Sequence, residues 1–89
     1  MLIDIVTAIP HAERTLDVQF ADGVRGTVNL DSIITTYDGV VAPLLDESFF
    51  RRVSVNPELG TITWPNGADL APEVLYELIV RSQRSQSQV

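Results

Sequence analysis

Two alternating runs separated by Ala21-Asp22-Gly23 constrain this chain more than any other feature. Upstream, Leu16, Val18 and Phe20 alternate with Thr15, Asp17 and Gln19. Downstream, Val24, Gly26, Val28 and Leu30 alternate with Arg25, Thr27 and Asn29. A period of two marks strands with one buried face. Cross-strand partners must share a face, so the loop length can be argued. A two-residue Asp-Gly turn would set inward Phe20 against outward Arg25. A three-residue loop instead pairs Phe20 with Val24, Val18 with Gly26 and Leu16 with Val28, and is the predicted form. Gly23 then takes the left-handed position such loops require. Gly26, opposite Val18, leaves room for an element packing over the sheet.

The same reasoning extends along the chain. Leu2 to Ile9 reads as a first strand, with Ile3, Ile5 and Ile9 on one face and Asp4 on the other. Pro10 is expected to end it, and His11-Ala12-Glu13 to form a connection. Asp31 suits the N-cap of a short helical turn. Tyr37-Asp38-Gly39 is a turn signal. The stretch from Pro43 to Arg51 reads as a short helix presenting Leu45 and Phe49 to the core. Val53–Asn56 and Thr61–Trp64 flank Pro57-Glu58-Leu59-Gly60. Pairing Asn56 with Thr61 matches Val55 to Ile62 and Val53 to Trp64, a second hairpin. Trp64 therefore reads as a core residue by its inward register. Pro65-Asn66-Gly67 stops that strand.

Pro72 suits the first position of a final helix, with Asp69 a candidate cap and Glu73 near the positive end of the dipole. Val74, Leu75, Leu78 and Ile79 form its predicted apolar stripe, and Glu77 and Arg81 a pair on the far side. From Ser82 to Val89 the chain is polar and aperiodic, read as a disordered tail behind one domain over residues 1–81. The predicted class is α+β: a mostly antiparallel sheet of about five strands in two hairpins, covered by the C-terminal helix and a short middle helix.

Composition narrows the chemistry. The chain has 89 residues, enough for one core, and twelve acids against six bases give a net charge of −6. Every base is Arg. With no Cys and one His, disulfides, thiolate nucleophiles and zinc–cysteine sites are excluded. His11 reads as an ordinary surface residue. The serines lie in no nucleophile-elbow context, and no Gly-rich phosphate loop is present. Asp4, Asp17, Asp22, Asp31, Asp38, Asp46 and Asp69 offer carboxylates for acid–base or cation work, but not at calcium-loop spacing, and most suit turns or caps. Arg51-Arg52 sits at a helix end, where positive charge meets the dipole. No basic stripe with stacking aromatics offsets the acidity, so nucleic-acid binding is disfavoured for this domain alone. The beginning of the chain lacks a signal-peptide pattern and no apolar run spans a membrane, so a soluble cytoplasmic protein is expected.

Residues from Ile3 to Tyr76 follow a recognisable order. Phe20-Ala21-Asp22-Gly23 comes first, then Asp31, then Leu45-Asp46 with Phe49 and Val53. Gly60-Thr61-Ile62-Thr63-Trp64-Pro65-Asn66-Gly67 and Asp69-Leu70-Ala71-Pro72-Glu73-Val74-Leu75-Tyr76 follow. In this combination the chain resembles a bacterial family of unknown function, DUF2442. The resemblance implies a small α+β fold and transfers no catalytic residue. Some relatives carry a helix-turn-helix domain after this module, and none is expected within this chain. Many relatives are encoded beside another small protein, which implies a toxin–antitoxin-like pair.

The functional expectation is a non-catalytic protein-binding or regulatory module, the acidic antitoxin-like half of such a pair. Its partner would be another small protein, without cofactor or metal, and a homodimer is compatible. The alternatives are a component of a DNA-associated regulator and a small enzyme using carboxylates. The expected binding surface joins Tyr37 and Asp38 to Asn66 and Asp69, an aromatic among polar loop groups. The competing reading is local: Asn66-Gly67 as turn chemistry and Asp69 as a helix cap.

Overall fold

The computed structural model describes residues 3–87. Three strands, β1 (Ile5–His11), β2 (Thr15–Phe20) and β3 (Arg25–Asn29), form an antiparallel sheet in the order β1-β2-β3. The predicted register holds: Leu16 faces Val28 and Val18 faces Gly26. Phe20 N donates to Val24 O at 2.8 Å across the three-residue loop, and Gly23 has φ +93°. The Asp22 carboxylate accepts from Val24 N and stiffens the turn.

β1 differs from its prediction in two ways with one cause. The register slips between Ile5, opposite Phe20, and Thr7, opposite Gln19, so Val6 is an extra, bulged residue. Beyond the bulge the faces exchange. Ile5 is buried, whereas Ile9 is 50% exposed and Ala8 takes an inward place. Pro10 lies inside the strand, opposite Leu16, rather than ending it. It is tolerated because β1 is at the sheet edge. Leu2, the predicted start, lies outside the described residues.

A 3-10 turn (Leu30–Ser32) follows β3. Its cap is Asn29, whose side chain accepts from Asp31 N at 2.7 Å, so Asp31 is freed from the predicted capping role. A 3-10 helix (Gly39–Leu45) leads into α1 (Glu47–Phe50), capped by Asp46 through Ser48 N and Phe49 N. The predicted inward pair is corrected here. The helix is shorter than expected, and Leu45 belongs to the preceding 3-10 segment, where it is 54% exposed. Leu44 and Phe50 are the buried residues, with Phe49 half-buried.

The second hairpin pairs β4 (Ser54–Asn56) with β5 (Thr61–Thr63) in the expected register. The Pro65-Asn66-Gly67 turn does more than stop the strand. It reverses the chain into β6 (Asp69–Leu70), with Thr63 opposite Asp69, so Asp69 is a strand residue rather than the cap of the last helix. The fold is thus α+β as predicted, with six strands among the described residues in two three-stranded antiparallel sheets. Ile5 N donates to Gly60 O at 3.0 Å and ties the first sheet to the second hairpin.

The last helix, α2 (Pro72–Ser87), continues past the expected boundary at residue 81. Ser82 through Ser87 are helical, and residues 88 and 89 of the expected tail lie outside the described residues. Leu75 and Ile79 are buried, and burying such a side chain stabilises by about 1.5–3 kcal/mol. Val74 is 44% exposed, so the stripe is rotated from the predicted one toward Tyr76. The Tyr76 ring meets Phe20 edge-on at 5.0 Å, and its hydroxyl donates to Asp22 at 2.6 Å. Ile79 fills the space above Gly26, where a Cβ would lie 2.8 Å from its Cγ2. Glu77 and Arg81 pair at 2.7 Å as expected.

Candidate functional site

The four candidate residues divide between two neighbouring constructions. The first is the turn after β5. Trp64 N donates to Ala68 O, Gly67 N to Trp64 O, and Gly67 adopts φ +93°. Asn66 sits at the tip and bonds in two directions. Its Oδ1 accepts from Ala68 N at 3.1 Å, and its Nδ2 donates to Val40 O at 2.8 Å. That second bond spans 26 residues of sequence and joins the turn to the 3-10 helix over Gly39–Leu45.

Behind this junction lies the core. Trp64 is buried, as its register implied, and its indole Nε1 donates to Phe50 O at 2.9 Å. Leu44 and Phe50 are buried with it. Two apolar side chains of the same 3-10 helix are exposed, Val40 at 53% and Leu45, about one and two-thirds turns further on, at 54%. Asp38 precedes them. Its carbonyl accepts from Val41 N, while its carboxylate makes no capping bond to the helix it begins. An anchored backbone thus carries exposed Val40 two residues after an exposed acid, Asp38. Asp69 is exposed on β6 and has no part in the Asn66–Val40 junction.

Tyr37 belongs to the second construction. The loop between β1 and β2 places Glu13 and Arg14 at φ +59°, a conformation uncommon for residues with a Cβ. Arg14 grips the Asp31 carboxylate with two bonds, Nε to Oδ1 at 2.9 Å and Nη2 to Oδ2 at 3.0 Å. The Tyr37 hydroxyl donates to the same Oδ1, and its ring lies 5.6 Å beneath the guanidinium. These contacts hold the Asp31 carboxyl down at about 2, the Arg14 bond contributing most and the Tyr37 bond next. Burial first, then Asp31, pushes the Tyr37 phenol up to about 12. Arg14 is raised further above its already high value, chiefly by Asp31. Both acid and base are locked in their charged forms, so this cluster is a brace. It fixes the chain entering the 3-10 helix.

A third arrangement was not anticipated. On the outer face of the first sheet, Asp17 accepts from Thr27 Oγ1 at 2.6 Å and pairs with His11 Nε2 at 2.9 Å. The Thr27 bond first, and His11 second, lower the Asp17 carboxyl. An open groove of about 470 Å³ runs beside it, lined by Thr7, Ile9, Gln19 and Arg25 among others. The Thr27 hydroxyl donates to the same carboxylate that pairs with His11. Among the described residues, no three His, Asp or Glu side chains gather as a metal site. Half of this cluster was legible, since the predicted register sets Asp17 opposite Thr27. His11 depends on the three-residue loop between β1 and β2, which carries no Gly to announce it.

The family model described as Protein of unknown function (DUF2442) matches residues 5–81. The chain belongs to this family. No curated protein and no solved structure gives a significant match. The matched span takes in every construction above: the Asn66 junction, the Arg14–Asp31–Tyr37 brace and the His11–Asp17–Thr27 cluster of this DUF2442 protein. No helix among its described residues is long and apolar enough to cross a membrane.

Proposed function

We propose that this DUF2442 protein is a non-catalytic protein-binding module whose partner docks on Val40 and Leu45. The observation that carries the reading is the Asn66–Val40 bond. It anchors the start of a short 3-10 helix on which two aliphatic side chains are each more than half exposed. A surface already held in place loses little conformational entropy on docking, which favours association. Asp38 supplies a polar rim, and the chain's net charge of −6 favours a basic partner. The partner is a small basic protein encoded beside this one in a bacterial cytoplasm, and the acidic chain acts as its antitoxin-like regulator. Tyr37 contributes through the brace that orients the segment. Asn66 is a positioning residue, and Asp69 extends the acidic rim.

Co-expression with the product of the adjacent reading frame, followed by gel filtration, tests this. A single co-eluting species is expected, and Val40→Asp should release the partner while leaving the melting temperature within a few degrees. Separate elution at micromolar concentration overturns the proposal. So does a complex that survives Val40→Asp and Leu45→Asp together.

A further inference from the structure

The two edges of the first sheet are built differently. β1 carries a bulge at Val6 and a proline at position 10, and its Ile5 N–H is already bonded to Gly60 O. Each of these hinders a further strand from adding there. β3 has none of them. It pairs regularly with β2 through Arg25–Asn29 and contains no proline, lysine or acid.

The phase of the β2–β3 ladder says which groups of β3 face outward. Phe20 N donates to Val24 O, and Leu30 N donates to Arg14 O. Bonded pairs alternate with unbonded ones in an antiparallel ladder, so Val18–Gly26 and Leu16–Val28 are also of the bonded kind. Thr27 lies between them and turns its N–H and C=O away from β2. Thr27 is exposed, and no backbone hydrogen bond outside the regular elements reaches it among the described residues.

We propose that two copies of this chain join β3 to β3, antiparallel about a two-fold axis at Thr27, merging their sheets into one. A strand can pair with its own copy only if its sequence is self-complementary about the axis. This one is. Each Thr27 N–H donates to the carbonyl of the other Thr27. On the inner face Val28 lies beside Gly26 of the second copy, which has no side chain of its own and is covered by its Ile79. On the outer face Arg25 lies beside Asn29 of the second copy, so no like charges oppose each other. The two Asp17 carboxylates are three strand spacings apart, about 14 Å, beyond the roughly 8–10 Å over which salt leaves charges felt. The net charge of −6 on each copy opposes contact, which weakens the dimer and makes it tighter as salt rises.

Sedimentation equilibrium of the full chain, from micromolar to near-millimolar concentration at two salt levels, tests the pairing alongside amide hydrogen exchange. The apparent mass should rise from 9.8 kDa toward twice that, more readily at the higher salt, with Thr27 N–H gaining protection in step. Thr27→Pro removes the central donor at a position whose N–H the fold's own ladder does not use, and should give a folded monomer. Thr27→Lys sets two cations face to face at the axis and should do the same, carrying the test if the proline variant fails to fold. A chain monomeric over the whole range overturns the proposal. So does a dimer that both variants leave intact, or one in which the Thr27 amide exchanges freely.

Discussion

Gly26→Ala tests whether α2 is seated on the first sheet as described. In a strand, alanine is favoured over glycine by about 0.5–1 kcal/mol on backbone entropy alone. Here the new Cβ would lie 2.8 Å from Ile79 Cγ2 and 3.2 Å from Cγ1. Ile79 is buried and branched at Cβ, so it has few rotamers to escape into. Overpacking of this kind costs about 1–3 kcal/mol, which leaves a net effect from about zero to a loss of about 2.5 kcal/mol. In a domain of this size, about 1 kcal/mol moves the melting temperature by roughly 4–8 °C. Ile79→Ala alone should cost about 2–5 kcal/mol. In the double variant the alanine at 26 occupies part of the vacated space, so the two losses should fall short of additivity by about 1 kcal/mol. Urea unfolding of all four proteins supplies the cycle. A stabilising Gly26→Ala, or additivity within about 0.5 kcal/mol, would refute the seating of Ile79 over Gly26.

Three further outcomes follow from single contacts. Gly60→Ala should lower the unfolding midpoint, because φ is +70° and a Cβ would come within 2.5 Å of Asp4 Cγ; an unchanged midpoint would mean that β1 does not lie against this loop. Trp64→Phe leaves the buried Phe50 carbonyl without its indole donor and should cost about 1–3 kcal/mol by thermal unfolding. Asp31 titrates at about 2 when folded against an ordinary 3.8, so its stabilisation is present above pH 3.8 and is lost as pH falls toward 2. Acid unfolding followed by circular dichroism should therefore be shallower across that window in Arg14→Gln, where the depression is relieved.

Both hairpin registers were legible in the sequence for a physical reason. Alternation assigns faces, faces must match across a ladder, and a single glycine then sets the loop length. The same logic failed in β1, because one bulged residue, Val6, reverses every face beyond it and leaves Ile9 in solvent. Asp31 and Asp69 both looked like helix caps, since their local sequence suits capping. Asn29 takes the first role and the short β6 absorbs Asp69, choices made by tertiary pairing. Of the candidate site, Tyr37, Asp38 and Asn66 were chosen from turn composition, and the structure joins the 37–40 segment to Asn66 through one amide bond. That bond between distant residues has no local signature. Leu45 reads as core because it falls at helical spacing from Phe49, and Val40, just after a turn signal, has no pattern that marks it as exposed.

The most direct test of the binding surface is an NMR titration of the isotope-labelled chain with the adjacent-frame protein, following backbone amide shifts. The largest shifts and the greatest line broadening should fall on Asp38, Val40, Leu45 and Asn66, with the amides of His11, Asp17 and Val74 unmoved. Saturable shifts centred on His11, Asp17 and Thr27, with Val40 and Leu45 unperturbed, would contradict it and move the site to the groove on the first sheet.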